Sequence, residues 1–250
     1  MFKGFYNLTS GMLSQGRRLD VIANNMTNTS TAGYKADTYT DSTFREFMVS
    51  RVGGKDQTRP VAVGPGSYVL APSKLYTDYD QGVLEATGQS LDFALEGDGF
   101  FAVQTAAGTA YTRAGSFSLD DEGYLCLPGE GRILDISGEP ILLGTDKITA
   151  DSTGALLGED GAYLGQIGVY SFPDNGQLTR TPRGLFAAGG QTAAAGTAEV
   201  RQEMVERSNV ELVREMTSMM TAQRAFQSAA QVSKMYDELM SKAAANLGNV

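Results

Sequence analysis

Apolar residues near the start of the chain recur at alternating spacings of three and four. Phe5, Leu8, Met12, Leu19, Ile22 and Met26 fall on the a and d positions of a heptad, with Gln15 in the one polar d slot. The spacing predicts a helix of about 25 residues, about 37 Å long, whose seam of period 3.5 asks for a partner helix. The pattern stops in Asn24-Asn25-Met26-Thr27-Asn28-Thr29-Ser30-Thr31. Asn, Ser and Thr side chains there compete for backbone hydrogen bonds, and Gly33 then offers a place for positive φ.

The end of the chain repeats the theme. Val205, Leu212, Met219, Phe226, Ser233 and Met240 recur every seven residues, and Met216, Gln223 and Ala230 form an adjoining stripe. These predict a second helix from about Val205 to about Ala245, with Ser208 as a local N-cap and Glu211 as its capping-box partner. Ala222, Ala225, Ala229 and Ala230 are small enough to let another helix approach closely.

Between the ends the periodicity changes. Residues 34–80 are mixed and polar, broken by Gly53-Gly54 and Gly64-Pro65-Gly66, and read as an extended connector with short strands. Leu91 to Glu96 alternates apolar with polar. Phe100 to Val103, Tyr124 to Leu127, Ile133-Leu134, Ile141 to Leu143 and Ile167 to Phe172 are further strand-like runs. Asp98-Gly99, Glu122-Gly123 and Asn175-Gly176 mark tight turns between them. Short strands punctuated by glycine indicate an antiparallel sandwich or irregular barrel. Residues 189–198 read as a flexible return to the second helix.

The expected fold class is α+β. Residues 1–30 and 205–250 form an antiparallel coiled-coil domain of two terminal helices. Residues 31–81 are the connector, and residues 82–204 are a central, mostly antiparallel β domain with its return linker. One helix pair leaves apolar faces uncovered, since Phe2, Phe5, Tyr6, Met220 and Met235 still need contacts, and neighbouring subunits are the economical source.

Charge sharpens this picture. The net charge is −9, a poor match to nucleic acid. Residues 1–30 carry +2, residues 205–250 are neutral, and residues 31–204 carry −11. The nearly neutral ends are the parts able to associate. Histidine is absent, which removes the usual general base and the commonest metal ligand. Cys126 is the only cysteine, so no intrachain disulfide forms, and its place in the run Tyr124-Leu125-Cys126-Leu127 reads as a half-buried strand thiol. No window is apolar enough for a membrane span. The first residues lack the apolar stretch and cleavage pattern of a signal peptide, so export, if any, is expected by another route.

Candidate chemistry is sparse. Asp120-Asp121-Glu122-Gly123 lacks the alternating ligands and distal Glu of an EF-hand and reads as a hairpin turn. Glu96-Gly97-Asp98-Gly99 is likewise a turn. Gly53-Gly54-Lys55 is followed by Asp56, so the phosphate-loop pattern fails. Asn7-Leu8-Thr9 and Asn28-Thr29-Ser30 fit the glycosylation sequon but lie in or beside the first helix. No catalytic, cofactor-binding or metal-binding residue is expected, and the helical methionines fit either core packing or an adaptable association surface.

Three passages are more specific than periodicity. They are Ile22 to Lys35 (Ile-Ala-Asn-Asn-Met-Thr-Asn-Thr-Ser-Thr-Ala-Gly-Tyr-Lys), Gly88 to Phe101, and Ser208-Asn209-Val210-Glu211-Leu212-Val213-Arg214-Glu215-Met216 continuing to Ala222-Gln223-Arg224-Ala225-Phe226. In this order along the chain they resemble the N-terminal, central and C-terminal signatures of bacterial flagellar rod and hook proteins. Met26-Thr27 stands where the family usually has Leu-Ala, and Phe226 where it usually has Tyr. The length favours a rod protein, since hook subunits generally carry an additional outer β domain.

The resemblance implies an axial structural subunit of the flagellar basal body. It implies export unfolded through the type III apparatus and helical polymerisation with itself and with other rod and hook proteins. The termini would order on assembly. It makes Phe5, Leu8, Met12, Leu19, Ile22, Asn24, Asn25, Asn28, Gly33 and Tyr34 the expected assembly contacts at one end. At the other end they are Asn209, Leu212, Met216, Met219, Gln223, Arg224 and Phe226. The alternatives are a short hook or hook-associated axial protein, a coiled-coil adaptor, and a hydrolase carried on the β domain. The hydrolase has no nucleophile–base pair to support it.

Overall fold

The computed structural model describes residues 2–43, 46–51, 61–67 and 70–247. The expected Gly53-Gly54 break and the Gly53-Gly54-Lys55-Asp56 sequence lie outside them, as does the side chain of Phe2. The chain divides into two compact units. One comprises Met1–Met26, Asp37–Tyr76 and Leu212–Val250, and the other Thr27–Ala36 and Thr77–Glu211.

In the first unit, α1 (Phe2–Thr27) and α2 (Leu212–Leu247) pack together. With 26 and 36 residues they are about 39 and 54 Å long. The end of α1 meets the start of α2, where Asn25 Nδ2 donates to Glu215 Oε1 at 3.4 Å. The rest of the unit is two strand pairs, Asp37–Thr43 with Leu70–Thr77 and Glu46–Arg51 with Val61–Ser67. The connector between residues 37 and 77 therefore folds back on itself as paired strands.

The second helix starts later than periodicity suggests. Val205 keeps the seven-residue spacing, yet Met204–Glu206 is a strand paired antiparallel with Leu84–Ala86. Two strong local ties draw this segment into the β unit: the buried carboxylate of Glu206 and the amide of Asn209. Ser208 does not cap α2. Its Oγ accepts from Val210 N at 3.3 Å, one turn before the helix.

The second unit is built on an antiparallel nine-stranded sheet. Its axis is the strand Phe100–Thr105. One edge of that strand pairs with Gly108–Thr112, with Val103 opposite Ala110. The other edge is shared, with Val103 opposite Ile133 and Phe101 opposite Val169. Period-two alternation sends Phe101 and Val103 into one apolar cluster with Phe93, Leu95, Phe117, Leu125, Ile133, Leu156 and Ile167. Phe100 and Ala102 point the opposite way, into a second cluster with Tyr111, Leu134, Leu178 and Phe186. A strand covered on both faces is a continuous apolar run, which explains Phe100-Phe101-Ala102-Val103.

Smaller sheets complete the unit. Ile148–Ala150, Ala155–Gly158 and Tyr163–Gln166 form a three-stranded antiparallel sheet, and Glu199–Gln202 pairs with Phe93–Glu96. The return 189–198, expected to be flexible, contains Ala194–Ala195 paired on Val169–Ser171. Gly196 packs so tightly that an added Cβ would lie 2.8 Å from Val169 Cγ1. The run Ile141-Leu142-Leu143 is not a full strand but is held by bridges beside it, Leu134 to Pro140 and Tyr124 to Leu142.

Candidate assembly interface

On α1 the heptad positions Leu8, Met12, Gln15, Leu19 and Met26 are half-buried and Ile22 is buried, whereas Phe5, Tyr6 and Leu13 are exposed. On α2 the least exposed of the described side chains are Glu215, Met219, Ala222, Phe226, Ala229, Ala230, Ser233, Tyr236 and Met240, which but for Ala230 follow alternating steps of four and three. That is a seam of period 3.5, the geometry of a helix lying along another. Sequence reading found one of its rows, Met219 to Met240. It paired that row with Met216, Gln223 and Ala230; of these only Ala230 is half-buried, and the row is flanked instead by Glu215, Ala222, Ala229 and Tyr236. The seven-residue spacing of Ala222 and Ala229 was the available signal.

Other apolar residues of α2 face outward. Val213, Met216 and Met220 are exposed, as are Val232, Met235 and Leu239. At 100° per residue these two trios fall on opposite flanks of the seam. Leu212, Gln223 and Arg224 are also exposed. The proposed contacts therefore divide into residues already covered, Ile22 fully and Leu8, Met12, Leu19, Met219 and Phe226 in part, and residues open to a neighbour (Phe5, Leu212, Met216, Gln223, Arg224).

Two signature asparagines act on adjacent backbone positions. Asn25, buried, accepts from Asp37 N at 3.0 Å and donates to Asp37 O at 2.8 Å, the exchange a β partner would make. Asn209 accepts from Ala36 N at 2.8 Å and donates to Asp78 O and Asp80 O at 3.0 and 3.2 Å. Only a short amide supplies an acceptor and two donors at this reach. Asn28 accepts from Thr31 Oγ1 at 3.2 Å, and Asn24 is exposed on α1. Gly33 takes φ +67°, and a Cβ there would lie 2.1 Å from Ala114 N, so a side chain is excluded. Tyr34 lies under the Arg180 guanidinium, 4.6 Å from its ring centre.

Sequence reasoning missed a buried ionic hub in the β unit. Glu206 has no exposed surface. Its Oε1 accepts from Lys35 Nζ at 2.7 Å and from Gly82 N at 2.8 Å, and its Oε2 from Arg113 Nη1 at 3.2 Å. Lys35 Nζ also donates to Asp80 O at 2.6 Å, and Arg113 Nη2 to Gly97 O at 2.7 Å. Burial lowers the pKa of the Lys35 ammonium below its ordinary 10.5, and the Glu206 carboxylate opposes that shift. Nothing in a lone Lys, Arg or Glu marks it as buried, so the hub had no sequence signal of its own.

Among the described residues no cluster of His, Cys, Asp and Glu could hold a metal ion, and no helix is long and apolar enough to cross a membrane. The arrangement defines a class: a β unit whose chain ends belong to a separate unit of amphipathic helices with apolar residues left outside. Family models agree along the chain. The flagella basal body rod protein model matches residues 5–35, the flagellar hook protein FlgE/F/G D1 domain residues 94–169, and the flagellar basal body rod FlgEFG protein C-terminal model residues 201–247. The chain is 32% identical to the flagellar basal-body rod protein FlgG of Bacillus subtilis (strain 168), over 96% of this chain and 97% of that protein. It is 33% identical to the flagellar basal-body rod protein FlgF of Mesorhizobium japonicum, over 100% and 99% of the two. It is also 32% identical to the flagellar hook-basal body complex protein FlhO of Bacillus subtilis (strain 168), over the full length of both. This chain belongs to the flagellar basal-body rod protein family.

Proposed function

We propose that the chain is a structural subunit of the flagellar rod and polymerises helically to carry torque from the basal body toward the hook. The observation that carries this reading is the pair of exposed apolar trios on opposite flanks of α2, Val213, Met216 and Met220 and then Val232, Met235 and Leu239. A helix with an inner seam and two apolar flanks can be covered on both sides only by further helices, and copies of α1 and α2 are the helices available. In the polymer α1 and α2 run as an antiparallel coiled coil and neighbouring pairs form an inner tube. Its partners are copies of itself and the rod and hook proteins beside it, reached by type III export. Torque passes through many interfaces at once, and no catalytic step is involved. Isolated helices are marginal in water, so the ends gain order as copies assemble.

Circular dichroism and sedimentation against concentration test this reading on the full chain and its Met219→Asp variant. The wild-type chain should gain helix as it forms long, open-ended assemblies. Met219 lies on the α2 seam, and a charge there is unpaired once covered. The variant should keep the β signal yet stay monomeric. Normal assembly by Met219→Asp would sink the inner-tube role.

A further inference from the structure

We propose that residues 31–36 form a strap that closes over the β unit and can open without unfolding it. The strap's backbone and its charged side chain are held by polar ties, and the Tyr34 ring lies against the Arg180 guanidinium. Gly33 N donates to Glu206 O at 2.7 Å, and Lys35 reaches Glu206 and Asp80. Arg180 Nη2 donates to Lys35 O at 2.6 Å, Ala36 N donates to Asn209, and Asp78 N donates to Ala36 O at 2.8 Å. Neither apolar cluster of the unit contains a strap residue. The β core therefore keeps its hydrophobic stabilisation whether the strap is seated or not.

The charge balance points the same way. Closed, the hub holds two cations, Lys35 and Arg113, against the single carboxylate of Glu206. Open, Lys35 leaves and regains water, while Glu206 and Arg113 remain as a one-to-one pair still bonded to Gly82 N and Gly97 O. Burial disfavours the charged form of Lys35, so closing carries a desolvation cost that opening relieves. The seat is narrow, because only glycine fits at position 33. The strap is the short piece of the β unit that lies in the chain between α1 and the strand Asp37–Thr43. The strap stands whether or not copies assemble.

Hydrogen exchange on the dilute full chain tests it. The Ala36 amide reports the strap, and the Val103 amide, in the central strand, reports the core. In low urea, Ala36 should exchange through an opening that hardly depends on denaturant, at least about tenfold faster than Val103. Gly33→Ala should strip Ala36 of a further tenfold or more while Val103 is unchanged. If the two amides share one denaturant-dependent opening in the wild type, the strap is an inseparable part of the core and the proposal falls. It falls equally if Gly33→Ala leaves Ala36 protected. Should Gly33→Ala fail to fold, the wild-type urea series decides alone.

Discussion

Two carboxylates of the β unit form ion pairs of nearly equal length and very different worth. Glu96 Oε2 meets Arg201 Nε at 2.8 Å with both side chains about half exposed. Glu206 meets Lys35 at 2.7 Å and Arg113 at 3.2 Å with all three buried. Removing one member of a buried set leaves the others uncompensated, so Glu206→Gln should cost about 3–5 kcal/mol. Glu96→Gln should cost under about 1 kcal/mol. Urea unfolding of the three proteins measures both. A Glu206→Gln loss no larger than that of Glu96→Gln would mean the hub is wet in solution.

A third carboxylate sets a pH dependence. The Thr153 hydroxyl, helped by the backbone N–H groups of Ala155, Thr153 and Gly154, holds Asp151 below the ordinary carboxylate value of 3.8. The folded chain therefore releases this proton more readily than the unfolded chain. The resulting stability is full above 3.8 and is lost as pH falls from there through the folded value. Asp151→Asn should lose less stability than wild type between about pH 5 and about pH 2.5. Thermal unfolding across that range would show it, and parallel curves would refute it. At this scale the sequence was partly legible. Asn25, Asn209 and Gly33 stood out in the signatures, but their partners lie on backbone that only the fold brings near.

Among whole elements, periodicity located both helices because a seam of 3.5 residues leaves a trace whatever it packs against. It overran at Val205, since a seven-residue spacing cannot register that Glu206 is needed as a buried anion in the β unit. The turn that redirects this segment is Glu203, with φ 61°, in the left-handed region. Its N–H donates to Asp92 O and its C=O accepts from Thr87 N, both at 2.8 Å. The kink lets one continuous stretch leave Phe93–Glu96 and pair with Leu84–Ala86. An L side chain there costs about 1–2 kcal/mol, partly offset by the greater unfolded entropy of glycine. Glu203→Gly should therefore raise stability by up to about 1 kcal/mol in urea unfolding. A loss would show that the Glu203 side chain makes a contribution larger than the strain. The strands themselves were legible where one face is buried. The pairing of Ala194–Ala195 was not, because an alanine- and glycine-rich stretch carries no alternation.

For the molecule as a whole, the net charge of −9 conceals a division. The β unit, Thr27–Ala36 with Thr77–Glu211, carries 21 Asp and Glu against 8 Lys and Arg. The helical unit carries 8 against 12. The sequence showed the acidic middle, and the unit boundaries sharpen it, since paired strands 37–77 side with the basic helices. When copies assemble, repulsion between β units exceeds the attraction each feels for a neighbour's helical unit, because the acidic excess is about three times the basic one. Salt screens exposed charges over about 10 Å at 0.1 M and leaves apolar contacts on α2 intact. Raising salt from about 20 mM to about 500 mM should therefore lower the concentration at which open-ended assemblies appear in sedimentation, by weakening repulsion more than attraction. If salt instead dissolves the assemblies, contacts between the acidic unit and basic helices dominate, and the apolar flanks of α2 are secondary to charge in holding copies together.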